Sequence, residues 1–134
     1  MRTEQDVEAF LLRMHRRFSP VDGEAGTYLV QTDGSMPPLA VRVDPPLVVF
    51  RIHIGDLNKK VDPNRLFRTL LEFNANGLVF SSYGLDNDRI LLSSALELEN
   101  LDFNEMQAVL DEIDLALAQQ VPKLAELNRS APPR

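Results

Sequence analysis

The sequence predicts a single α+β domain in which helices pack an antiparallel sheet in the order α-β-β-β-α-β-β-α. Three observations lead there. Apolar residues recur at helical spacing near both ends and in the middle, short β-branched runs alternate with period two between them, and Pro, Gly, Asn and Asp clusters fall at the boundaries. The chain has 134 residues, 44% apolar and none of them cysteine, which suits one core that needs neither metal nor disulfide. The expected domain is 1–129, followed by a disordered tail at 130–134.

The first helix starts at a capping-box-like pair, Thr3 and Asp6. Its stripe of Val7, Phe10, Leu11, Met14 and Phe18 should carry it to near Pro20. Gly26–Gln31, Leu39–Val43 and Leu47–Ile54 follow as a three-strand meander, punctuated by Asp33-Gly34 with Pro37-Pro38 and by Asp44-Pro45-Pro46. Asp62-Pro63 opens a second helix reaching Asn74, with Leu66, Leu70 and Phe73 inside and Asn76-Gly77 as a left-handed cap. Leu78–Tyr83 and Arg89–Leu98 read as two further strands around an Asp86-Asn87-Asp88 turn. Asp102 and Glu105 form a capping box, with Leu101 and Met106 as a hydrophobic staple, and the last helix buries Met106, Val109, Leu110, Ile113, Leu117 and Leu124. Pro122 should end or kink it near Gln119, because proline lacks the donor that a helix interior needs.

Charge narrows the function. Residues 1–68 hold 10 basic and 9 acidic side chains, whereas residues 69–134 hold 4 and 11, within a net charge of −6. An acidic half repels polyanions over a Debye length of about 8–10 Å, so nucleic acid is not the expected partner. Arg51 and His53 interrupt the Leu47–Ile54 run far short of the roughly 20 apolar residues of a membrane span. Charged residues such as Glu4, Asp6, Arg16 and Arg17 break any signal-peptide apolar region, and a cytoplasmic protein is expected.

Catalytic and metal-binding patterns are missing. The sequence contains no G-x-S-x-G, P-loop, H-E-x-x-H or G-x-G-x-x-G, and His15 and His53 read as surface residues. Asp86-Asn87-Asp88 lacks the glycine of a calcium loop, since Leu91 stands at the sixth position. Asp111, Glu112 and Asp114 read as a solvated helix face, and Arg13, Arg16 and Arg17 as a small basic face on the first helix. No enzyme, cofactor or metal is expected.

More informative is the sheet. If Phe50, Ile52, Phe80, Ile90 and Leu92 face the helices, alternation turns Val49, Arg51, Val79, Ser81, Tyr83, Leu91, Ser93 and Ala95 outward. Such a half-apolar face suits self-association or polypeptide binding. Phe67 and Leu71 widen the second helix beyond one stripe, enough to bury a second copy. On this reading Tyr83→Asp and Leu91→Asp weaken association and spare the core.

With these elements in place, the chain resembles class I type III secretion chaperones and the YbjN-like family over most of residues 4–121. The resemblance rests on Leu71-Glu72-Phe73-Asn74, Tyr83-Gly84-Leu85-Asp86, Arg89-Ile90-Leu91-Leu92, Leu96-Glu97-Leu98 and Leu101-Asp102. It implies a small acidic cytoplasmic protein, commonly dimeric, that binds proteins without turnover. In the chaperones an extended client segment wraps the sheet and first helix, with backbone bonding at strand edges as its basis. The YbjN-like branch instead implies a regulatory or structural protein of undefined partner. No catalytic residue is implied by either branch.

Overall fold

A computed structural model describes residues 1–129; the tail expected at 130–134 lies outside the described residues. The chain runs α1 (Glu4–Arg13), β1 (Phe18–Pro20), β2 (Thr27–Val30), β3 (Leu39–Asp44), β4 (Leu47–Asp56), α2 (Asn64–Glu72), a π-helical turn (Phe73–Gly77), β5 (Ser82–Asp86), β6 (Arg89–Glu97), α3 (Phe103–Gln119) and α4 (Val121–Leu127). Six antiparallel strands lie in the order β1-β2-β3-β4-β6-β5. All four helices contribute side chains to one core against a single sheet face, including Val7, Leu11, Leu66, Leu70, Leu110 and Leu124. The α+β class and the element order agree with the sequence reading, with one added edge strand and a divided last helix.

Both capping boxes form, at Thr3/Asp6 and at Asp102/Glu105. Leu101 and Met106 are both buried, as the staple requires. Where the elements depart from expectation, a local cause is visible. α1 stops at Arg13 because His15 takes φ +58°, and Phe18 then enters β1, where its ring meets Tyr28 edge-on at 5.8 Å. Pro63 takes the N-cap position of α2, while Asp62 accepts the Asn64 N–H at 3.0 Å. No left-handed cap closes α2; the chain leaves through the π-helical turn. At Gly77 the turn meets the end of α3, where the Gln120 side-chain amide donates to the Gly77 carbonyl at 3.2 Å. Pro122 separates α3 from α4 at the expected place.

The fifth strand is the largest correction. It spans Ser82–Asp86 rather than Leu78–Tyr83, and Asn87, at φ +56°, turns it into β6.

Candidate binding face

Register defines the two faces of the sheet. Val41, Val48, Phe50, Ile52, Leu92 and Tyr83 form the inner rows that meet the helices. The outer rows run Leu29–Ala40–Arg51–Ser93–Ser82 and Thr27–Arg42–Val49–Ala95, flanked by His53–Leu91–Gly84. Arg42, Arg51, Ser82 and Ala95 are exposed, and Leu29, Ala40 and Val49 are half-buried. Of the expected residues, Val49, Arg51, Leu91 and Ala95 therefore share one surface. Leu91 is only 7% exposed and stands outside the main core cluster. Phe67 (half-buried) and Leu71 (68% exposed) lie on α2, and Val79 (82% exposed) lies in the segment before β5, all off the outer rows.

Tyr83 is displaced from the outward set and Phe80 from the inward one. Tyr83 is 6% exposed, pairs with Leu92, packs its ring 6.2 Å from Phe73 and donates its hydroxyl to Gln120 Oε1 at 2.7 Å. Phe80 is 49% exposed. Ser81, also expected outward, is buried.

The cause is Glu112, read from sequence as solvated helix surface. Its carboxylate accepts the backbone N–H groups of Val79 (2.8 Å), Phe80 (3.0 and 3.2 Å) and Ser81 (2.8 Å). Ser94 Oγ then donates to the Phe80 carbonyl at 2.8 Å. Residues 79–81 spend their donors on a side chain instead of a strand ladder, so alternation counted through them loses its phase. Glu112→Ala should cost about 1–2 kcal/mol, allowing for partial exposure of the carboxylate. Urea unfolding and faster amide exchange at residues 79–81 would check it.

One position at each sheet edge is unavailable for strand pairing. The Asn74 side chain accepts the Tyr83 N–H at 2.7 Å and donates to the Tyr83 carbonyl at 3.1 Å, as a neighbouring strand would. At the other edge, Val21 donates to Thr27 and Gln31 to Arg17, so Phe18 and Pro20 face outward by alternation. Pro20 has no N–H to give. An open polar groove of about 660 Å³ lies beside this edge, lined by His15–Ser19 and Gln31–Asp33.

Of the three arginines expected on the first helix only Arg13 lies on α1, because the helix ends there and Arg16 and Arg17 follow it; Arg13 and Arg16 find partners within the fold. Arg16 pairs with Asp114 (2.7 Å) and Asp111 (3.4 Å), and the Arg13 guanidinium lies 4.0 Å from the Phe103 ring centre. His53 contacts Asp56 at 2.8 Å. Among the described residues no group of three or more His, Asp or Glu is placed to hold a metal ion. No helix among them is long and apolar enough to cross a membrane.

Burial pushes the Tyr83 phenol well above the ordinary value of 10.0. The folded state therefore keeps the proton that the unfolded chain releases at high pH. Stability should hold below about pH 10 and fall as pH rises past it, because above that point the native state binds more protons. Thermal melts of the protein and of Tyr83→Phe across this window would check it, with the variant losing less.

The CesT_Tir_1 family model matches residues 1–130. A chain of the heterodimeric ExoU-SpcU complex from the type III secretion system of Pseudomonas aeruginosa has a similar fold, at TM-score 0.66 and 15% identity, covering 87% of this chain and 95% of that one. YbjN from E. coli is similar at TM-score 0.63 and 8% identity, with coverages of 86% and 88%. A chain of the ExsC-ExsE complex reaches TM-score 0.62 at 16% identity, with coverages of 98% and 100%. No curated protein matches the sequence.

Proposed function

The chain belongs to the CesT_Tir_1 family, a type III secretion chaperone family, and from that premise we propose that it holds an extended segment of a client protein on its outer sheet face. It does so as a non-enzymatic, cytoplasmic binding module. The observation that carries the reading is the outer face itself, where Leu29, Val49 and Ala95 surround exposed arginines while the helices occupy the opposite side. Edge pairing contributes less, because Asn74 takes the outward backbone groups of Tyr83 on one edge strand and Pro20 lacks a donor on the other, three-residue one. Affinity purification of the tagged protein from its own organism tests this reading. A stoichiometric partner that is lost on Val49→Asp with Ala95→Asp, at unchanged melting temperature, supports it; a partner retained by the double variant contradicts it.

The chain also forms a homodimer through α2, where Leu71 is exposed beside half-buried Phe67. Leu71→Asp should convert a sedimenting dimer to a monomer of undiminished stability. A wild-type monomer at high micromolar concentration would refute the dimer. The likeness to YbjN favours a second reading, a dimeric regulatory or structural protein. A lone homodimer in the affinity purification is the result that selects it.

A further inference from the structure

Arg42 and Arg51 stand on adjacent strands in neighbouring rows of the outer face, Arg42 opposite Val49 and Arg51 opposite Ala40. Diagonal neighbours of this kind lie roughly 7–8 Å apart, close enough for two guanidinium groups to share one carboxylate from above. Both side chains are exposed, and neither has a hydrogen bond, ion pair or ring contact among the described residues. Their situation differs from that of Arg16, which has two aspartates of its own. Asp44 and Glu97 lie one row further toward the β3–β4 hairpin, both opposite Leu47, and neither is within ion-pair distance of either arginine. In a chain of net charge −6, two unneutralised like charges side by side on a half-apolar surface are a local reversal of sign.

From this arrangement we propose that the segment taken by the outer face is acidic: an extended stretch that sets a carboxylate over Arg42 and Arg51, with apolar residues two positions to either side. The inference rests on the sheet-face reading above and adds the chemistry of the partner. Spacing supports it, because residues two apart in an extended chain are about 6.6–7 Å apart, the same interval that separates successive rows of the sheet. The charge then falls between the Arg42 and Arg51 rows, beside Val49, and the residues two positions to either side fall toward Leu47 and Leu91 on the flanking rows.

The test uses three fluorescent eleven-residue peptides in which apolar residues alternate with Ser and the central apolar position is replaced by Asp, Asn or Lys, so that the varied residue shares a face with apolar residues two positions to either side. Binding is measured by anisotropy against the full chain, Arg42→Gln/Arg51→Gln and Arg42→Glu/Arg51→Glu, with melting curves to establish that each variant folds. The Asp peptide should bind about five- to tenfold tighter than the Asn peptide, lose that margin on the double Gln variant, and yield to the Lys peptide on the double Glu variant. A margin that survives both double variants overturns the proposal, since the carboxylate would then be read elsewhere. Equal binding of all three peptides, abolished by Val49→Asp, overturns it while leaving the sheet-face reading intact. Binding of none of them overturns it, and if Val49→Asp with Ala95→Asp still abolishes partner recovery from the native organism, the sheet-face reading stands without it.

Discussion

Tyr83→Asp should unfold the protein or come close to it. The substitution removes an aromatic ring packed against Phe73, breaks the hydroxyl bond to Gln120 and leaves a carboxylate opposite Leu92 in the inner row. Losing a buried aromatic costs about 3–5 kcal/mol, and burying an unpaired charge adds to it. Total stabilities are commonly about 5–15 kcal/mol, so little margin would remain. Tyr83→Phe, which keeps the ring, should cost only about 1 kcal/mol. Denaturant unfolding of the two variants distinguishes them. A stable Tyr83→Asp that merely loses a partner would return Tyr83 to the outer face.

Phe50→Ala is the second large effect, and its neighbour supplies the control. Phe50 is fully buried at the centre of β4, facing Val41 and Ser94 across the two flanking strands. Truncation there should cost about 3–5 kcal/mol through lost apolar transfer and an unfilled cavity. Arg51, the next residue, faces the other way and makes no hydrogen bond, ion pair or ring contact among the described residues. Arg51→Ala should stay within about 0.5 kcal/mol of the parent. Equilibrium unfolding in urea reads both, and comparable losses would contradict the division of the sheet into two faces.

Much of the fold was legible because its signals are local. A capping box spans four residues, a helical stripe repeats within a few turns, and Pro122 acts where it stands, so Thr3/Asp6, Asp102/Glu105 and the α3–α4 break follow from short windows. Period two likewise placed Val49, Arg51 and Ala95 correctly on the outer face, because β4 and the C-terminal part of β6 run without interruption there. The failures involve partners distant in sequence. Glu112 reaches back 31 to 33 residues to the backbone before β5, and Gln120 reaches 37 to Tyr83. Nothing near Leu78 announces that its successors will give their N–H groups to a side chain. Alternation therefore starts the strand four residues before its observed start at Ser82 and exchanges the inward and outward assignments of Phe80 and Tyr83. Leu29 and Arg42 were within reach of the same alternation that found Val49, applied to the two preceding strands.

Site-specific photo-crosslinking in the native organism addresses the binding face most directly. A benzophenone residue is placed at Val49 on the outer face or at exposed Leu115 in the helical layer, and crosslinked peptides are mapped by mass spectrometry. Crosslinks from position 49 that converge on one extended segment of a partner, with position 115 silent toward it, are the expected result. Crosslinks to a partner from position 115 alone would place the binding surface on the helices and contradict the role assigned to the sheet.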